Sequence, residues 1–145
     1  MNERDDMATS EQNARQRLIA FTEHLLEQTE NGRMTWESAN ESDTIFSFSG
    51  PNSSVVIKPV RVDDRSGYEL QLLNERGVIV SNLRSGWYAD RGLLGTQEPV
   101  MRPHSWNGIL VRLYEEARRI ALNVDSIMDD LLATLDEPNG NADSS

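Results

Sequence analysis

Cysteine is absent from this chain, which removes disulfides, thiolate zinc sites and cysteine nucleophiles together. Long apolar runs are missing as well. No stretch approaches the roughly 20 residues of a bilayer-crossing helix, and residues 1–10 are polar without a signal-peptide core, so a cytoplasmic location is expected. Positive charge is scarce, with 14 basic residues against 24 acidic ones and a formal net charge of −10. Residues 1–54 carry ten acids and four bases, residues 55–104 six and seven, and residues 105–145 eight and three. The acid lies in the flanks, and no basic stretch offers phosphates a neutralising face, so direct nucleic-acid binding is not expected. Lys58 is the only lysine, a bias that genome composition explains as readily as function does.

Catalytic signatures are absent too. There is no GxSxG elbow, no GxxxxGK[ST] or GxGxxG loop and no HExxH pair. His24 and His104 read as isolated residues, Asp125, Asp129 and Asp130 as a helix cap with a solvated first turn, and Asp63-Asp64 as turn chemistry. No catalytic, cofactor or metal residues are assigned, and no cofactor is expected.

What the chain does contain is periodicity. At 145 residues it suits one domain, expected over 9–136, with residues 1–8 loose and 137–145 a disordered acidic tail. Thr9-x-x-Gln12 has capping-box spacing. Leu18, Phe21, Leu25, Leu26 and Thr29 follow helical spacing, and Asn31-Gly32 supplies a stop, so a helix over about 10–30 is predicted. Met34 and Trp36, then Phe46 and Phe48, mark two short strands. In the third, residues 54–62, the alternation changes at Pro59, which predicts a bulge near Lys58-Pro59 or an edge position. A hairpin follows over 67–83, with Tyr68, Leu70, Leu72, Val78 and Val80 on one face, turning through Asn74-Glu75-Arg76-Gly77. Leu73 and Ile79 on its other face could serve a partner or a homodimer. Trp106 through Leu135 is strongly helical, with a break at Asn123 dividing helices near 105–122 and 126–136. The predicted class is α+β: an N-terminal helix, an antiparallel meander of about five strands, and two C-terminal helices packed on one face of the sheet.

Between them, residues 84–104 lose regular periodicity over a length unusual for a simple connection. The aromatics and arginines around this stretch, Trp87, Tyr88, Arg91, Arg102 and Trp106, are the candidate partner-binding residues, because Trp, Tyr and Arg dominate binding hot spots. The plainer role, with Trp87 and Trp106 anchoring the loop to the core, is the expected one for the two tryptophans, since Trp is mostly buried on average.

The helix ending Thr29-Glu30-Asn31-Gly32, the Trp36 strand, two hairpins and Leu113-Tyr114-Glu115-x-Ala117-Arg118-Arg119 ahead of Ala121-Leu122-x-Val124-Asp125 resemble small uncharacterised bacterial α+β domains. The resemblance covers most of the expected folded region. It implies a bacterial cytosolic domain with no assigned activity, and a helix break at Asn123, where such domains often carry Gly. The function expected is a non-catalytic protein-interaction or regulatory module with a protein partner. The alternatives are a binder of an anionic small molecule, or an enzyme, using the 84–104 loop with Arg84, Arg91 and Arg102, and an acidic chaperone or nucleic-acid mimic.

Overall fold

The stop predicted for the first helix forms in full. Gly32 takes a left-handed φ of 73°, its N–H bonds Thr29 O at 3.1 Å and the Arg33 N–H reaches Gln28 O at 3.0 Å. Those two bonds are a Schellman motif, which satisfies carbonyls the helix end would otherwise leave open. The start differs from expectation. In the computed structural model, which describes residues 3–62, 64–90 and 100–136, helix α1 runs Glu3–Glu30. No Gly or Pro interrupts the segment ahead of Thr9, so the capping-box spacing lies inside the helix, and residues 3–8, read as loose, belong to it. Residues 137–145 lie outside the described residues.

Strands β1 (Glu37–Ser38), β2 (Phe46–Ser49), β3 (Ser54–Val62), β4 (Arg65–Leu73) and β5 (Ile79–Arg84) form one antiparallel meander in chain order. Met34 and Trp36 are buried as their spacing demands, but strand pairing begins only at Glu37. The expected bulge at Lys58-Pro59 is absent: β3 and β4 pair without a break from Ser54↔Leu73 to Val62↔Arg65. The edge alternative describes the site instead. β2 reaches only as far as Ile57, which leaves Pro59 on an open flank where a missing N–H costs no ladder bond. The bulge occurs one hairpin later. Leu72 pairs with Ser81 but Leu73 pairs with Ile79, so Val80 is the extra residue. This slip reverses the alternation in β5. Val78 and Val80, expected in the core, are 53% and 61% exposed, while Ser81 and Leu83 face inward across from Leu72 and Leu70.

The inner face of the sheet, built on Phe46, Val55, Ile57, Leu70 and Leu83, packs against α1 and α2 (Asn107–Ala121) through Leu18, Leu25, Leu26, Leu110, Leu113 and Ala117. Tyr114 ties α2 to the chain ahead of β2. Its hydroxyl donates to Thr44 O at 2.9 Å and its ring stacks on Tyr68 with centroids 4.4 Å apart. Burial, and then the neighbouring Tyr68, raise the Tyr114 phenol above its ordinary value, so it remains a neutral donor. Helix α3 (Val124–Asp136) behaves differently from α2. It contains no buried residue and its main contacts are with α2, because its axis leaves the body at Asn123, whose φ is 53°. Of the two C-terminal helices, then, α2 covers the sheet and α3 extends from it.

On the outer face, Glu69 lies opposite Arg84 and is only 3% exposed. It accepts from Gln71 Nε2 at 2.5 Å and from Arg84 Nε at 2.8 Å, with Asn82 Nδ2 at 3.5 Å. Burial alone would raise its carboxyl, but the bonds from Gln71, Arg84 and Asn82 and the Arg84 charge outweigh that and hold it below its ordinary value of 4.5. Glu69→Ala is therefore expected to cost about 1–2 kcal/mol at pH 7, held down by water reaching the half-exposed Arg84. Unfolded Glu69 takes up its proton more readily than folded Glu69, so acid favours unfolding. The advantage of the native residue is complete above about pH 4.5, shrinks as pH falls through the lower folded value, and is read by denaturant titrations of both proteins across that range.

Candidate functional site

The 84–104 stretch, read as irregular, contains a two-stranded ribbon. β6 (Trp87–Asp90) and β7 (Val100–Pro103) pair antiparallel, with Trp87↔Pro103 and Tyr88↔Arg102 in register. Four-residue strands carrying Gly and Pro at their borders give too short an alternation to be seen in sequence. The ribbon's base is clamped. Asn107 receives the Gly86 N–H at 3.1 Å and donates Nδ2 to Gly86 O at 2.9 Å, while the His104 N–H also reaches Gly86 O at 3.0 Å. Ser85 locks to Tyr68 on β4 through its backbone N–H and its hydroxyl. A Cβ at Gly86 would stand 3.4 Å from His104 Cδ2, an ordinary contact distance that places the His104 ring directly over this position.

From this clamp the candidate residues separate. The His104 ring stacks on Trp106 with centroids 4.2 Å apart and rings within 7° of parallel, and Tyr88 stacks on His104 at 5.5 Å. Trp106 is half-buried against the core and its Nε1 donates to Arg84 O at 2.9 Å, so the anchoring role holds for it. Trp87 is not an anchor. It is 39% exposed, with the Arg65 guanidinium 4.2 Å from its ring centroid. Arg102 sits across the ribbon from Tyr88, and Arg91 lies outside the described residues. Two further residues belong to the cluster. His104 was read as isolated, and Arg15 of α1, 5.8 Å over the Trp106 ring, is distant in sequence with nothing to connect the two. Burial and then the Arg15 charge lower the His104 imidazole below its ordinary value.

A second surface is apolar. Ile127, Met128, Leu131, Leu132 and Leu135 recur at helical spacing along one side of α3, and each is at least half exposed. Beside them stand Asp125, Asp129, Asp130 and Asp136, and the helix has no basic residue. Arg119 of α2 pairs with Glu116 and Asp125, which fastens the start of α3. The break at Asn123 forms as predicted, but Asp125 sits in the first turn instead of capping it, and α2 starts behind Trp106 without a side-chain cap.

Among the described residues, no three His, Cys, Asp or Glu side chains are grouped to hold a metal ion, and no helix is long and apolar enough to cross a membrane. No protein-family model matches the chain, and neither does any curated protein or any solved structure.

Proposed function

We propose that this chain is a non-catalytic protein-interaction module of a bacterial cytosolic system, and that it engages its partner through α3. The observation that carries this reading is the helix itself: five large apolar side chains held in a strip that no described part of the chain covers. A solvent-exposed helix gains nothing from such a strip, whereas a helix laid into a groove uses every one of its positions. The charge pattern selects the partner. With acids beside the strip and no bases on the helix, the complementary surface is an apolar groove bordered by Lys or Arg, and two copies of α3 laid together would set acid near acid.

The test is capture of partner protein by the tagged chain and by a Leu131→Asp/Leu135→Asp variant, at low and high salt, followed by rebinding of the purified partner. The native chain is expected to hold a stoichiometric partner. The variant should lose it by at least about a hundredfold in affinity, with an unchanged thermal melt, since both residues are exposed. Added salt should weaken the native complex without abolishing it. Equal capture by chain and variant would sink the reading.

A further inference from the structure

Arg15 of α1, Asn82, Leu83 and Arg84 of β5, and His104 and Trp106 at the ribbon's base line a hollow of about 250 Å³. Arg15 rests on the Trp106 ring and has no carboxylate partner among the described residues. Arg84 gives Nε and Nη2 to Glu69, leaving Nη1 without a protein acceptor among those residues. The Asn82 amide has only a long contact to Glu69, at 3.5 Å. Trp106 has spent its Nε1–H on Arg84 O and presents its ring. The Glu69 carboxylate is occupied by Gln71 and Arg84, and among the described residues no acidic side chain lines the hollow.

We propose that this hollow binds a small oxyanion, a carboxylate or phosphate group carried on a small molecule, with Arg15 supplying the main charge and Arg84, Asn82 and His104 the remaining donors. In a chain of net charge −10, Arg15 is here a positive group with no carboxylate partner among the described residues, set beside a concavity. A cation would meet the Arg15 guanidinium there, while the Arg84 charge is already matched by Glu69. An apolar ligand would strip water from donors it could not satisfy, whereas an oxyanion accepts from each of them. Burial and then the Arg15 charge lower the His104 imidazole, so Arg15 stands close enough to oppose its protonation. The site is separate from α3 and does not depend on the partner reading.

The chain has two histidines, so proton NMR of their imidazole signals gives a reporter in the hollow and a control on α1, His24. Inorganic phosphate and acetate are titrated separately at constant ionic strength into the native chain and into Arg15→Gln. A saturable shift of His104 and of the Trp106 indole is expected, with His24 still and the apparent affinity at least about tenfold weaker in the variant. Saturation by phosphate alone assigns a phosphate group, and by acetate alone a carboxylate. Arg15→Gln should also raise the His104 pKa with no added anion. If that rise occurs but neither anion saturates, the site is overturned with its geometry intact. If the rise fails, Arg15 does not stand beside His104 and the proposal falls with the geometry. A shift that is linear and shared by His24 is bulk salt, and overturns it as well.

Discussion

Trp36→Ala should cost about 3–5 kcal/mol, enough to remove about a fifth or more of the roughly 5–15 kcal/mol of an ordinary small domain. Trp36 is 1% exposed, and two separate losses add there. Its indole fills the seam between the end of α1 and the sheet, with the Phe48 ring centroid 6.3 Å away, so truncation opens a void that rigid neighbours cannot close. Its Nε1–H also donates to Thr29 Oγ1 at 3.0 Å, and that hydroxyl, itself buried, donates in turn to Leu25 O at 2.7 Å. Trp36→Phe keeps most of the volume but not the donor and should fall between, and Thr29→Val should cost about 1 kcal/mol. Urea titrations followed by circular dichroism separate the four proteins. A loss below about 1 kcal/mol for Trp36→Ala would mean that the seam is not closed around the indole.

The same chemical change on consecutive helices is expected to give opposite results. Leu113 on α2 is fully buried and Leu131 on α3 is 58% exposed. Leu113→Ala should lower stability by about 2–5 kcal/mol, while Leu131→Ala should stay within about 0.5 kcal/mol and weaken partner binding instead. The contrast is informative because helix propensity changes identically in both variants and cancels. Paired thermal melts with partner titrations measure it. A stability loss at Leu131 comparable to that at Leu113 would show that α3 folds back onto the body and that its strip is core.

These two leucines also mark how far the sequence could be read. Both sit at the same three-and-four spacing, and periodicity tells which side of a helix is apolar without telling what covers it. The strip on α3 was therefore read as sheet-facing, although the helix break that carries it away was visible at Asn123. The meander was legible because strand alternation and turn residues agree locally: Asn74 accepts the Arg76 and Val78 N–H groups through Oδ1, and Gly77 takes its φ of 77°. The bulge was expected but displaced. Pro59 signals a ladder defect by its chemistry, whereas Val80 is ordinary strand material and becomes the extra residue only through pairing with β4. At the ribbon, Trp87, Tyr88, Arg102 and Trp106 could be named from composition. Arg15 and His104 could not, because what joins them to that cluster is tertiary: an α1 side chain reaching a ring near the start of α2.

Asn123 sets more than the direction in which α3 departs. Its carbonyl already accepts the Ile127 N–H, so only Leu122 and Asn123 separate the two helices and the joint has no slack. The azimuth of the apolar strip about the α3 axis is thus phased to the body by a single backbone conformation. Adding or removing one residue there would turn the strip by about 100° with its composition untouched. Such a joint works like the keyway of a shaft: homologous chains that drift freely in the residues of α3 would still have to conserve the residue count between Leu122 and Val124.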